Sequence, residues 1–368
     1  MSYQSIDKMQ NLLSESFFSH TDSPKKAAGR ALGTMVEIIG FYLIKAWGHE
    51  FETAIERPLP EYANNDITHN VEFTFHRSKL LKKLEIQTHD TISPTRIFNI
   101  ADLPDKFIKS SNSRNLIKNS VIKNCCTIAN SNTSFCNAYL SLDRKNILLY
   151  ELSNDPFAMF ECKRVGVEEG NKKGPQTIEK AKQGSYVARS VSAIQKIRLS
   201  NGRIAGIMER QGKLEYFDNY NDSIEKAIRG HETATLVNFI LTVGIVSNHG
   251  NWFTSNNQNK EMKILAQSYD WLLFLTDHGL ASFIHKIMTK EADFEAVKIA
   301  FEKSYEKGKK INRFTKITMD IDADVVLTKY FKENIKEVES WFNVIAPNGN
   351  NIDTLNMMLI ELSKIGVD

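Results

Sequence analysis

The sequence offers no run of about eighteen consecutive apolar residues, the length that a membrane-spanning helix needs. Its opening, Met1-Ser-Tyr-Gln-Ser-Ile-Asp, lacks the basic and apolar regions of a signal peptide. A cytoplasmic protein without a membrane partner is expected. Cysteine is scarce, with only Cys125, Cys126, Cys136 and Cys162, and neither their spacing nor a nearby histidine pair makes a zinc site. They read as reduced, mostly buried thiols. No internal repeat is visible, which argues against a solenoid or propeller. A large charge of one sign is missing too. The formal net charge is +3, too small to announce a nucleic-acid binder by itself, so local concentrations of Lys and Arg carry more information than the total.

What remains is the balance of an ordinary folded protein: 368 residues, 42% of them hydrophobic and 25% charged. The basic clusters are Arg77, Lys79, Lys82 and Lys83; Lys172 and Lys173; and Lys307, Lys309, Lys310 and Arg313. Along the chain, Ser23-Pro24 signals a helix start, and Leu32, Met35, Val36, Ile39, Leu43 and Trp47 follow at helical spacing. A shorter helix is expected over about Tyr3 to Phe18. Val71 to Phe75 alternates like a strand. From Phe135 a meander of short strands is predicted, Ala138–Leu142, Ile147–Leu152 and Phe157–Val165, with Ser153-Asn-Asp-Pro as a turn. Pro175 opens a predicted helix. A hairpin (Arg203–Glu209, Lys213–Phe217), a buried central strand (Leu236–Val246), another apolar run (Tyr269–Leu275) and C-terminal amphipathic helices such as Phe294–Tyr305 and Tyr330–Ile345 complete the reading. The expected class is α/β, a mixed β-sheet core flanked by helices, with helical N- and C-terminal extensions. The core is expected over 136–287, with 1–135 a helical and loop region packing on it and 288–368 a helical region, as one large domain or two intimately packed ones.

The stretch Asn154-Asp-Pro-Phe-Ala-Met-Phe-Glu-Cys-Lys163 carries the chemistry. Alternation in a strand places Glu161 and Lys163 on one face and Cys162 on the other. The apolar neighbours Phe157, Met159 and Phe160 imply burial, which two charges tolerate only as an ion pair or around a metal. Asp155 supplies a second carboxylate. Two carboxylates and a main-chain carbonyl form the hard oxygen set that Mg²⁺ prefers. Glu151 and Asp143 lie upstream at distances that a hairpin could also bring opposite Glu161, and they compete with the preferred Asp155. Glu37, among the buried positions of the long N-terminal helix, is a further acid.

The segment resembles the PD-(D/E)xK nuclease signature, an Asp followed by an acidic-x-Lys triplet on a strand: here Asp155, then Glu161, Cys162, Lys163. Its short gap is similar to that of the mismatch-repair strand-nicking endonuclease and its restriction-enzyme relatives. From Phe157 to Lys196 the sequence resembles a type II restriction endonuclease. That resemblance implies a restriction-endonuclease-like fold and a Mg²⁺ ion held by Asp155, Glu161 and the carbonyl of Cys162. Lys163 would orient or deprotonate the attacking water, and the products would carry 5′-phosphate and 3′-hydroxyl ends. It further implies double-stranded DNA as substrate, a homodimer matching a two-fold site, and a cognate DNA methyltransferase as genetic partner. Lys172, Lys173, Lys180 and Gln183, after the triplet, are placed for DNA contact, with Tyr186 a fainter echo. His249 and Trp252, in the loop from Ser247 to Asn259, offer turn or DNA contacts. A repair or recombination nuclease is the nearest rival, and a non-catalytic DNA-binding module, with Glu161 and Lys163 as a structural ion pair, is the rival from another class.

Overall fold

In the computed structural model of the chain, residues 6–61, 64–86, 91–111, 114–164, 182, 186, 191–247, 260–288, 292–306 and 312–365 are described. The predicted Pro175 helix, the basic residues Lys172, Lys173, Lys180, Lys307, Lys309 and Lys310, and Gln183, His249 and Trp252 lie outside them.

The class is α/β, as expected, built on one mixed sheet of nine strands. They are β1 (Thr53–Ile55), β2 (Phe73–Glu85), β3 (Ile108–Lys109), β4 (Cys126–Asn130), β5 (Ser134–Leu140), β6 (Asn146–Arg164), β7 (Leu241–Ser247), β8 (Trp271–Leu275) and β9 (Phe342–Ala346). Their order along the main path is β9-β8-β7-β6-β5-β4-β3, and β2 joins β6 on its other edge with β1 outside it. The β6–β7 and β7–β8 pairs are parallel, and the remaining pairs are antiparallel. Every residue of β7 and β8 is buried, which is why both read as continuous apolar runs.

The sheet takes strands from all three stretches of the expected division. β1, β2, β3 and β4 come from the N-terminal part and β9 from the C-terminal part. The C-terminal reading needs correction. In place of one helix over Tyr330–Ile345, a helix over Ile321–Glu333 is followed by a short one over Ile335–Glu339 and then by β9. Thr276 explains the change: its amide and its hydroxyl both donate to the Trp341 carbonyl at 2.9 Å, pinning the chain where β9 begins.

β6 is likewise one strand and not two. Ser153-Asn-Asp-Pro has turn composition, but β2 runs alongside and carries the irregularity as register shifts between Leu152 and Pro156 and between Pro156 and Ala158. A bulge is where a strand tolerates proline, because no ladder donor is required there.

Helix α1 (Ile6–Ser16) lies against α2 (Pro24–Ala46), which crosses one face of the sheet. Pro24 starts α2 as predicted, although Ser23 contributes no side-chain cap. By length and composition α2 could cross a membrane, yet 67% of its most apolar window is buried inside the protein. Gly40 permits the closest approach to the sheet, since a Cβ there would sit 2.8 Å from Cys162 Sγ. At the far end of α2, Lys45 is buried between Asp324 (3.0 Å) and Glu50 (3.1 Å), and Tyr42 donates to the same Asp324 at 2.7 Å. Burying an ammonium opposes its charge, but these carboxylates outweigh burial and hold the Lys45 pKa above its ordinary value. The four cysteines are free, and all but the partly exposed Cys125 are buried.

A candidate metal-binding acid cluster

Cys162 Sγ faces Gly40 of α2, so alternation sends Glu161 and Lys163 to the opposite face of β6. They meet there, with Lys163 Nζ 2.6 Å from Glu161 Oε1. Glu161 is 5% exposed, whereas the Lys163 side chain keeps 32% of its surface. The apolar flank inferred from the sequence is present: Met159, two positions earlier on that face, packs with Leu59, Val71, Val191 and Ile240.

Asp155 does not stand beside Glu161. Because β6 does not turn at Ser153, six residues of bulged strand separate the two, at most about 20 Å at roughly 3.3 Å per residue. Asp155 instead lines a cavity of about 390 Å³ with Arg57, Asn154, Pro156 and Asn238. Glu151 is committed to Lys106 (2.5 Å) and Ser134 (2.6 Å), and Asp143 to Ser141 (2.5 Å) in the β5–β6 turn. None of the three acids reaches Glu161.

Glu72 does. It immediately precedes β2, whose first residue Phe73 pairs with Phe160, so the antiparallel register sets Glu72 beside Glu161. The Glu72 amide donates to Glu161 Oε2 at 3.2 Å, and the Cys162 amide donates to Glu72 Oε2 in a short bond. These bonds lock both carboxylates against the strand edge. Lys316, 6% exposed, donates to Glu72 Oε1 and stands 3.3 Å from Glu37 Oε2 and 3.2 Å from Glu56 Oε1. Glu37 therefore joins the cluster from α2, as the sequence suggested, through Lys316 rather than through Glu161.

Glu72 and Lys316 were missed from the sequence. Glu72 carries the same signal that exposed Glu161, an acid between apolar strand residues in Val71-Glu-Phe-Thr-Phe. No local pattern marks Lys316, which stands in Phe314-Thr-Lys-Ile-Thr between a helix and a short strand.

The electrostatics show an excess of negative charge. Four carboxylates, Glu37, Glu56, Glu72 and Glu161, face two ammonium groups, Lys163 and Lys316, leaving two charges uncompensated when all are ionised. Burial pushes the Glu72 carboxyl up to about 7, Lys316 opposes the rise and Glu37 adds to it. Burial also raises Glu161, reinforced by Glu72 and resisted by Lys163. Lys163 is in turn held above its ordinary value, because Glu161 outweighs the effect of burial.

This donor set suits a hard divalent cation. Among the described residues no group of three or more His, Cys, Asp or Glu side chains is arranged to hold such an ion, so an ion here would need main-chain oxygen as well. In a strand the N–H and C=O of one residue point to the same edge. With its amide on Glu72, Cys162 directs its carbonyl to that edge, just beyond the point where β2 begins. Glu72, Glu161 and this carbonyl form an oxygen set matching the preference of Mg²⁺, whose remaining positions are ordinarily filled by water and phosphate.

No family model, no curated protein and no solved structure matches the chain.

Proposed function

We propose that the protein is a Mg²⁺-dependent DNA endonuclease of the PD-(D/E)xK kind with a restriction-endonuclease-like core, in which Glu72 takes the part expected of Asp155. The observation that carries this reading is the pairing of Glu72 and Glu161 across the β2–β6 register, with Lys163 on the same face as Glu161. An acid at the start of one strand beside an acidic-x-Lys triplet on its neighbour supports the reading, with Glu72 in place of the Asp155 that the resemblance implied.

Glu72, Glu161 and the Cys162 carbonyl would hold the ion. Bound there, Mg²⁺ supplies a water of lowered pKa and neutralises charge growing on the phosphoryl oxygens. The chain's own contribution is orientation. The two amide bonds fix the carboxylates before substrate arrives, so little reorganisation remains for the reaction step. Lys163 is half-buried at Glu161 and still open to solvent, placed to donate to a phosphate oxygen or to hold the attacking water. Attack in line with the 3′ oxygen leaves a 5′-phosphate and a 3′-hydroxyl. The substrate is double-stranded DNA, cut at a specific sequence by a homodimer in the cytoplasm, with a methyltransferase protecting the host's own sites.

The test is incubation of the purified protein with plasmid DNA and Mg²⁺. Discrete fragments with 5′-phosphate ends are expected, lost with EDTA and in Glu161→Ala. Lys163→Ala should abolish cutting yet retain DNA binding, because its contribution falls mainly in the transition state. Mg²⁺-dependent cleavage surviving in either variant rejects the assignment, and cleavage confined to junctions or mismatches would point to repair.

A further inference from the structure

The cavity of about 390 Å³ at Asp155 is joined to the acid cluster by an aliphatic floor. Leu59, Val191 and Ile240 line it, and all three belong to one buried cluster with Met159, two positions before Glu161 on the same face, and with Val71, which precedes Glu72. At roughly 3.3 Å per residue this floor begins about 7 Å from Glu161, the span of about two nucleotides at about 3.4 Å each along a DNA strand. The walls are tied in place before any ligand arrives. On one side the strand Pro58–Glu61 pairs with Asn64–Asn70. On the other, the Ala193 amide donates to the Asn238 carbonyl at 3.0 Å and the Ile240 amide to Ser192 Oγ at 3.2 Å, which fastens the segment of Val191 to that of Ile240.

Arg57 supplies the cavity's charge. Its guanidinium lies over the Phe135 ring, 3.6 Å from the centroid, and donates to Asn154 Oδ1 at 3.3 Å. No carboxylate among the described residues pairs with it, and burial pulls its pKa down to about 10. A guanidinium has five N–H donors, so most of them remain for a ligand. Asp155 stands exposed at the mouth, and its charge is shared with Arg77, whose pKa burial lowers and Asp155 supports.

This lining discriminates between the parts of a nucleotide. A phosphate would gain Arg57, but it would also meet the Asp155 carboxylate and a floor of Leu59, Val191 and Ile240 that offers it no hydrogen bond. A flat neutral heterocycle suits every part: its faces pack on the aliphatic floor, and acceptor atoms on its edge take the Arg57 donors, as base edges do with arginine elsewhere. A base stacked in a duplex cannot enter such a cavity and must first be turned out of the helix.

We propose that this cavity takes one nucleobase turned out of the DNA duplex, about two nucleotides from the scissile phosphate, with Arg57 reading its edge and Leu59, Val191 and Ile240 packing on its faces. The inference rests on the nuclease reading above and adds to it a substrate site distinct from the acid cluster.

Once plasmid digestion has located the cutting site, duplexes carrying 2-aminopurine at each position of that site in turn are titrated with the protein, with Ca²⁺ replacing Mg²⁺ so that binding proceeds without cutting. 2-Aminopurine brightens when it leaves the stack. A severalfold rise confined to one position or its immediate neighbour is expected, and Ile240→Phe, which fills the floor, should lose it. Arg57→Gln should weaken binding of the cognate duplex by about 5- to 150-fold and leave binding of an unrelated duplex unchanged. A phosphate contact behaves differently: its loss weakens both duplexes alike and lowers the salt slope by about one. That result, no rise at any position of a duplex that is bound and cut, or a rise retained in folded Ile240→Phe overturns the inference and leaves the nuclease reading intact. A plasmid left uncut in Mg²⁺ removes that reading, and this inference with it. Should Ile240→Phe fail to fold, the two duplexes with Arg57→Gln decide.

Discussion

Glu72 commits both carboxylate oxygens and its own amide to different neighbours, and this makes it the hinge of the site's chemistry. Glu72→Gln should therefore lower Mg²⁺-dependent cleavage by at least about 100-fold, more than the 10–100-fold typical of residues that merely support a ligand. Asp155→Asn should cut as well as wild type, and a matched plasmid assay of both variants checks the reassignment. The sequence could name Glu161 and Lys163 because alternation within one strand is a local rule. It could not name their partner, because that depends on which strand lies alongside, and Glu72 stands 89 positions away. His76 gives a second prediction at this scale. Burial, with a contribution from the Arg57 charge, pushes its pKa down to about 3, and its ring packs edge-on against Phe135 at 5.1 Å. An unfolded histidine takes up a proton near pH 6.5, and the folded one does so only near 3. Proton uptake thus favours the unfolded chain in between: stability is whole above about pH 6.5 and drains away towards pH 3, in total on the order of 4 kcal/mol. In urea unfolding measured across that range, His76→Gln should show a flatter pH dependence than wild type. Parallel curves would show that the loss has another source.

Among the elements, β6 and α2 together position the acids. Several strands and helices were legible from periodicity, including α2, the 204–217 hairpin and the buried β7, whereas the run at Tyr269–Leu275 fitted a strand or a helix start until the sheet made it β8. Errors arose where a local preference was overruled by a neighbour, as at Ser153-Asn-Asp-Pro, which looks like a turn until β2 absorbs it in a bulge. Phe342–Ala346 continues the helical periodicity of Tyr330–Ile345, but β8 offers it an edge. Gly40 packs closely on Cys162, whose amide donates to Glu72. Gly40→Ala should gain up to about 1 kcal/mol in helix propensity and lose about 1–3 kcal/mol to overpacking, a net destabilisation. Because the displaced strand carries Glu161, the cleavage rate should drop even where the variant remains folded. A thermal melt alongside a cleavage assay separates the two effects.

For the molecule as a whole, the sheet is not confined to the expected core of 136–287. That stretch lacks β2, which lines β6 through both halves, β9 on the edge of β8, and α2 over Phe160 and Cys162. A fragment of residues 136–287 should therefore show the collapsed amide dispersion of an unfolded chain in a two-dimensional NMR spectrum, and a dispersed spectrum would restore it as a domain. Composition supported the class of the protein but not this interleaving, which depends on pairings between distant stretches. The 89 positions between Glu72 and Glu161, and the 244 between Glu72 and Lys316, also bear on how the protein comes into being. Sheets made of such remote pairings assemble slowly, since large loops must close before any contact rewards them. Until those three stretches have met, a nascent chain cannot assemble the acid cluster, so on the proposed reading a half-folded chain could not yet cut.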